Sequence, residues 1–230
     1  MINYSIKQLE DDYKNREVIR EQLISIKSLY KIENKKILDI GCGDGANLML
    51  FTSSHKIGVD GLRELESTLL KKNIQFVCRN LNDPGDLNLN DVDCVLCLDV
   101  IEHLENPLPI LNAIHDVMNK KSIFIVNMPN QLDLIGRIKI LFGSSMDNKD
   151  FFPDYAEWNN PHIRFYTRSG AIALFNATGF KIIDDRSYKL PSFPLINKLR
   201  RIIPLGLFSL LSKINPSLFS GGHFFVMIKR

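Results

Sequence analysis

The sequence predicts an α/β fold built on a parallel sheet. Short apolar segments alternate with amphipathic ones at the spacing of strand–helix–strand units. The segment 92–98 is apolar almost throughout, as expected of a central strand buried on both faces. A glycine-rich turn directly follows the first predicted strand. Together these observations favour strands joined by helical crossovers.

The bulk composition is consistent with this fold class and excludes some functions. The chain has 230 residues, which suits one large α/β domain or a domain with a small appendage. A formal net charge of +3 is too weak to indicate a nucleic-acid partner. The first ten residues do not resemble a signal peptide, and no apolar stretch has the length of a membrane span.

The first half of the chain yields a regular order of elements. An amphipathic helix near 7–30 precedes strands at 37–40, 56–60, 74–78, 92–98 and 122–127. Helices are predicted between them at 46–51, 62–72 and 108–118. We therefore divide this half into an N-terminal helical segment, 1–34, and a cofactor-binding half, 35–130.

The second half is less regular. A helix is predicted at 131–142, within a segment 131–167 that is long enough to be an insertion or lid. A helix at 168–178 is closed by Gly179, and strands at 180–184 and 223–228 follow. The C-terminal half, 168–230, also contains the apolar, basic-edged segment 195–214, which Pro204 and Gly206 divide into two short capping helices.

The four cysteines are predicted to be buried free thiols. Cys94 and Cys97 have C-x-x-C spacing but lie in one strand, where positions three apart face opposite sides. They cannot bind one metal ion together there, and we predict no metal site. Free thiols favour a reducing, cytosolic setting.

The glycine-rich turn and the next strand predict a cofactor that contains adenosine. Gly41 and Gly43 permit a tight turn and close approach to a ligand, and Asp60 ends the second strand, where a carboxylate accepts the ribose hydroxyls. The same glycines with Ala46 also satisfy the dinucleotide pattern, so an NAD-dependent enzyme stays open. Asp39 before the turn suits an ammonium and would repel a pyrophosphate.

Three segments in order resemble motifs of the class I S-adenosylmethionine-dependent methyltransferases. They are 37–45, 58–60 and 98–104, and the closest branch methylates small molecules, quinones, glycans and lipid-linked sugars. The resemblance implies a Rossmann-like, seven-stranded, mostly parallel sheet of order 3-2-1-4-5-7-6 with an antiparallel last strand and helices on both faces. It implies S-adenosylmethionine as cofactor and S-adenosylhomocysteine as product.

The resemblance also implies roles for individual residues. The turn and Asp39 would contact the methionine end of the cofactor, and Asp60 would bind the ribose. The residues after the third strand would contact the adenine, and those after the fourth strand would line the methyl and adenine side. Glu102 is expected to be solvated or structural. The predicted cofactor-binding residues are Asp39, Gly41, Cys42, Gly43, Asp60, Asn80, Leu81, Asp99 and Val100.

Two histidines are the candidates for catalysis. His103 follows the fourth strand, and His162 begins a stretch that resembles the His-x-Arg-Phe-x-Thr segment of glycan- and lipid-type members. Histidine is the usual proton acceptor near neutral pH, although structural hydrogen bonds are an alternative role for both. Arg164 and Tyr166 of the same stretch are predicted to bind substrate, because a guanidinium suits a carboxylate or phosphate.

These features predict O-methylation of a small-molecule, sugar or lipid-linked acceptor. The alternatives are an NAD-dependent enzyme and a non-catalytic protein that binds S-adenosylmethionine. The segment 195–214 is expected to pack over the substrate cleft or at a homodimer contact, or else to touch a membrane surface. A cytoplasmic protein, peripheral to the membrane at most, follows from this interpretation.

Overall fold

A computed structural model of the chain describes residues 17–143, 161–187 and 205–230. The strands are β1 (Ile37–Ile40), β2 (Lys56–Asp60), β3 (Gln75–Cys78), β4 (Val92–Leu98), β5 (Met118–Pro129), β6 (Phe180–Asp185) and β7 (Gly222–Lys229). The helices are α1 (Glu17–Leu29), α2 (Glu66–Lys71), α3 (Leu108–Val117), α4 (Leu134–Leu141), α5 (Arg168–Ala177), α6 (Leu205–Ile214) and α7 (Pro216–Phe219).

The strands form one seven-stranded sheet in the order β3-β2-β1-β4-β5-β7-β6. The first five strands pair in parallel, and β7 runs antiparallel to both β5 and β6. The predicted strand order and the antiparallel last strand are therefore confirmed. Both segments 35–130 and 168–230 contribute strands to this sheet.

Apolar side chains cover both faces of the sheet. Alternate residues of β4 point to opposite faces, so Cys94 packs with α1 on one face and Cys97 packs with α3 and α5 on the other. All four cysteines are free thiols, and the predicted separation of the C-x-x-C pair is confirmed; three are buried as predicted, whereas Cys78 is half-buried. Burial raises the pKa of the Cys97 thiol well above its usual value, with Glu102 the next cause.

The predicted helix at 46–51 is wrong. A single 3₁₀ turn, Leu48–Leu50, stands in its place and ends at Phe51 in extended backbone. Gly45 is still in the left-handed region, with φ +81°, and β2 begins at Lys56. The ten residues between them must leave the turn, cross the sheet and reach the next strand, which leaves room for one helical turn.

The other elements of the first half lie close to their predicted positions, and β5 extends beyond both ends of the predicted strand. The predicted N-terminal helix is described from Glu17, where α1 begins. Residues 144–160 of the predicted insertion and 195–204 of the predicted capping helices lie outside the described residues. Within the described ranges, no helix combines the length and apolar character needed to cross a membrane.

Candidate functional site

The candidate site lies where the carboxyl ends of β1, β2, β4 and β5 meet. These strands are parallel neighbours, so the turns that follow them open on the same edge of the sheet. The amino end of β7 reaches this edge too, because Gly222 pairs with Pro129 at the end of β5. The predicted site residues are distributed along this edge.

The glycine turn after β1 is shaped by tight packing as well as by backbone conformation. Gly41 has φ +69°, and its N–H donates to the Val59 carbonyl at 2.8 Å. A Cβ on Gly41 would lie 2.4 Å from Cγ2 of Val100, far inside van der Waals contact. Glycine is therefore required at position 41 both for its conformation and for the close approach of the turn after β4.

Asp60 binds the same turn from the end of β2. One carboxylate oxygen accepts from the Gly43 N–H, and the other accepts from the Leu62 N–H, each at 3.1 Å. Each carboxylate oxygen can accept more than one hydrogen bond, and Asp60 is only partly buried. The carboxylate can therefore shape the turn and still accept from two vicinal hydroxyls, as the predicted ribose contact requires.

Asp39 and Cys42 lie deeper in the structure. Asp39 is fully buried in β1 at the centre of the sheet, and only Ile40 separates it from Gly41. The Cys42 side chain points away from the edge and packs on Gly58, where a Cβ would lie 2.6 Å from its sulfur. Burial, followed by the charges of Asp39 and Asp60, raises the pKa of the Cys42 thiol well above its usual value. Cys42 therefore presents its backbone to this edge.

Asp99 follows β4 in a conformation that is uncommon for a residue with a side chain. Its φ is +55°, and its N–H donates to the Asn127 carbonyl at 2.9 Å. The Asn127 side-chain amide also donates to the Asp99 carboxylate. Such outliers cluster at functional sites. The alternative role of Asp99, capping the short helical turn that follows, stays a prediction.

The turn after β3 is connected to the turn after β4. Asn80 is exposed, and its side chain accepts from the Asn82 N–H at 3.1 Å, while Leu81 packs against the core. The Asn82 side chain accepts from the Glu105 N–H at 2.8 Å. Asn82 therefore positions the predicted adenine side relative to the strand that follows. Sequence reasoning missed it because its partner is 23 residues away.

The segment 161–166 is attached to the turn after β4 by main-chain hydrogen bonds. The N–H groups of Ile163 and Arg164 both donate to the Glu102 carbonyl at 3.1 Å. The Arg164 guanidinium donates through Nε to the Leu104 carbonyl at 2.9 Å and through Nη2 to the Glu105 carbonyl. Arg164 therefore holds the two segments together, and its predicted contact with substrate stays a prediction.

This attachment brings the two candidate histidines together. The ring centroids of His103 and His162 are 4.6 Å apart, with the planes inclined at 62°. His103 Nδ1 lies 2.8 Å from the Pro161 carbonyl oxygen, and His162 Nδ1 lies 2.6 Å from Nε2 of Gln131. Glu102 joins them, with Oε1 4.0 Å from His103 Nε2. Glu102 was expected to be solvated or structural; its side chain is 1% exposed, so the solvated alternative is wrong and the structural one stays open.

Tyr166 and His223 form a second buried polar group at this edge. His223 Nε2 lies 3.3 Å from the Tyr166 carbonyl oxygen, and burial lowers the pKa of His223 to about 4. Burial also raises the pKa of the Tyr166 hydroxyl, with Arg164 lowering it and Glu102 raising it by smaller amounts. His223 was not predicted, because β7 lies far along the chain and carries no recognisable motif.

Comparisons with known proteins agree with the fold and identify a family. A family model described as a methyltransferase domain matches residues 12–185. An uncharacterized protein of Methanocaldococcus jannaschii is 33% identical over 173 residues, covering 71% of this chain and 64% of its own length. The ubiquinone biosynthesis O-methyltransferase of Photobacterium profundum is 30% identical over 87 residues, covering 34% of this chain and 37% of its own length.

A solved structure shows the same fold at low sequence identity. The putative methyltransferase of Haloferax volcanii, solved in complex with the Trm112 methyltransferase activator, aligns with a TM-score of 0.61 and 13% identity. The alignment covers 100% of this chain and 99% of that chain. The curated relatives are longer than the part that matches, since the chain spans 64% and 37% of the two named above.

Proposed function

This chain belongs to the methyltransferase family, and on that premise we propose that it transfers a methyl group from S-adenosylmethionine to a hydroxyl oxygen of a small acceptor. The family membership predicted from the three motifs is confirmed, and S-adenosylmethionine is the cofactor of that family. The NAD-dependent alternative, which the glycines alone had left open, loses its support.

The residues of the turn after β1 fit this cofactor. The buried Asp39 carboxylate at the base of the turn is suited to an ammonium group, and Asp60 at its rim is suited to a ribose diol. Bound S-adenosylmethionine supplies a methyl group that is already activated by a positive sulfonium. The protein then has to orient the acceptor and keep water away.

The observation that carries the choice of oxygen is the pair of histidines at the same edge. A hydroxyl arrives protonated, so its attack on a methyl group benefits from a group that removes the proton. His162 is 9% exposed and adjoins His103, next to the turn that contains Asp99 and Val100. The similarity to a ubiquinone biosynthesis O-methyltransferase supports an oxygen acceptor.

The first test measures cofactor binding. Calorimetry of the full chain with S-adenosylhomocysteine should show one site, and Asp60→Ala should weaken binding by roughly 10-fold or more, as expected for the loss of charge-assisted hydrogen bonds. Asp116→Ala, which removes an exposed carboxylate, is the matched control. Wild-type protein that binds NADH and not S-adenosylhomocysteine would refute the proposal.

The second test measures methyl transfer. Release of S-adenosylhomocysteine is followed with a panel of acceptors that includes phenolic, sugar and lipid-linked hydroxyls together with matched amines. We expect turnover with at least one hydroxyl compound and none with its amine analogue. Turnover restricted to amines would contradict the choice of oxygen, and cofactor binding without any turnover would favour the non-catalytic alternative.

A further inference from the structure

We propose that Glu102, His103 and His162 bind a divalent transition-metal ion. Each side chain offers one ligand atom, and these three atoms all lie within 4.8 Å of one another. Two imidazoles and one carboxylate are the donor set of open metal sites that take ions such as Fe²⁺, Mn²⁺ or Zn²⁺. This proposal replaces the sequence-based prediction of no metal site.

The His103 ring is held in the tautomer that a metal requires. Its Nδ1 lies 2.8 Å from the Pro161 carbonyl oxygen, which can only accept, so Nδ1 carries the proton. In the neutral ring, Nε2 then holds a lone pair, and it faces Glu102 with 4.0 Å between Nε2 and Oε1. Metal-binding histidines usually donate their other ring N–H to a carbonyl or carboxylate in this way.

His162 has a comparable partner in Gln131. The Gln131 side-chain amide lies 2.6 Å from His162 Nδ1. With the amide nitrogen in this position Nδ1 accepts, so coordination through Nε2 requires the amide to turn by about 180° and place its oxygen, of nearly equal size, against Nδ1. His162 would then donate through Nδ1 and offer Nε2 to the ion.

The main chain keeps the ligands together without help from the ion. The backbone carbonyl of Glu102 accepts from two N–H groups of the segment that contains His162, and the Arg164 side chain donates to the Leu104 and Glu105 carbonyls. An ion bound at roughly 2.0–2.2 Å from each ligand brings neighbouring ligand atoms to about 3 Å apart. Small rotations of the three side chains would shorten the distances between their ligand atoms by this amount, so the backbone need not move.

A site with three protein ligands leaves coordination positions for an acceptor oxygen. This consequence rests on the proposed function. A hydroxyl bound to the ion loses its proton to solvent water more readily, and its oxygen then forms a bond to the methyl carbon. The bond between methyl and sulfur breaks, and S-adenosylhomocysteine leaves. The histidine pair assists the hydroxyl in either state: without the ion a ring nitrogen accepts the proton, and with the ion the rings hold the metal that favours its loss.

The test measures metal binding directly. The full chain is freed of metal with EDTA and titrated with CoCl₂, whose visible absorption reports nitrogen and oxygen ligands, and with ZnCl₂ by calorimetry. We expect one ion per chain. Glu102→Gln and His162→Ala should each weaken binding by at least about 10-fold, whereas His55→Ala, which removes an exposed histidine, should leave it unchanged. No stoichiometric binding, or equal binding by all variants, would overturn the proposal.

A second pair of variants covers the case in which a ligand variant fails to fold. Gln131→Glu keeps an acceptor for His162 Nδ1, and Gln131→Leu removes it. We expect Gln131→Leu to weaken Co²⁺ binding by about 10-fold relative to Gln131→Glu. Equal affinities would contradict the assignment of His162 Nε2 as a ligand.

Separate readouts distinguish failure of the metal site from failure of the proposed function. Methyl transfer by EDTA-treated protein that binds no Co²⁺ would overturn the metal site alone. Stoichiometric Co²⁺ binding by protein that fails to bind S-adenosylhomocysteine would support the metal site and overturn the methyltransferase proposal.

Discussion

The two sides of the candidate site are built by contacts of different range. On the cofactor side, Gly43 and Asp60 are hydrogen-bonded across 17 residues of chain, within one strand–turn–strand unit. On the side proposed to bind the acceptor, Arg164 and His103 bond to residues 58 to 60 positions away. A short-range site is visible as a motif, whereas a long-range site exists only once the fold brings its parts together. The two sides should therefore respond differently to substitution.

The largest effect is expected at the cofactor side. Gly41→Ala places a Cβ in the left-handed region and against Val100, so we expect a loss of about 2–5 kcal/mol in stability. Displacement of the turn should weaken S-adenosylhomocysteine binding by roughly 100-fold. Calorimetry and urea unfolding measure both quantities.

Gly85→Ala is the matched control. Gly85 also has positive φ, +59°, but has nothing within 4 Å of its Cβ position. It should lose only about 1–2 kcal/mol and keep its cofactor affinity. If the two variants bind S-adenosylhomocysteine equally, close packing on Val100 is not what shapes the site.

The second effect concerns the buried His223 on the acceptor side. Its pKa is about 4 in the folded chain and near 6.5 when unfolded, so only the unfolded chain takes up a proton between these values. Neutral His223 therefore contributes to the free energy of unfolding in full above pH 6.5. This contribution falls as the pH drops toward 4, and about 2 kcal/mol of it is lost at pH 5. Urea unfolding at pH 7.5 and pH 5 measures it.

His223→Gln removes the titrating group and keeps a donor for the Tyr166 carbonyl. The stability of this variant should depend less on pH between 7.5 and 5 than that of the wild type. An identical pH dependence in both proteins would assign the effect to another group.

The third effect separates two roles of Arg164. If it mainly joins the segments, Arg164→Ala should cost about 1–3 kcal/mol and lower kcat, with the affinity for S-adenosylhomocysteine unchanged. If it binds substrate, KM should rise for anionic acceptors while stability is kept. Arg63→Ala, at an exposed arginine, is the control for lost charge.

The smallest effect is expected at the start of α5. The Thr167 hydroxyl accepts from the Gly170 N–H at 3.1 Å and caps the helix that follows the histidine segment. Thr167→Ala should cost about 1 kcal/mol, and Thr167→Ser should restore most of it. Thermal unfolding compares the two. Equal losses would mean that the methyl group of Thr167 matters more than the cap.

The same contrast explains what the sequence could predict. The individual strands followed from apolar periodicity, whereas the strand order and the roles of Asp39, Gly41 and Asp60 followed from the resemblance of three short motifs to the class I methyltransferases. The helix at 46–51 failed because its residues suit a helix but the chain is too short there to form one. The burial of Glu102 and its meeting with His162 could not be predicted, because they depend on hydrogen bonds from a segment about 60 residues later.

The bonds from Ile163 and Arg164 to the Glu102 carbonyl have a consequence for how such a protein can diversify. They are made by backbone N–H groups, which every residue except proline possesses. Ile163 and Phe165 are 50% and 37% exposed, so their side chains can be exchanged while the segment keeps its place. Under the proposed function, substitutions at positions 163 and 165 would change the acceptor that the protein takes while leaving the backbone of the segment and the glycine turn in place.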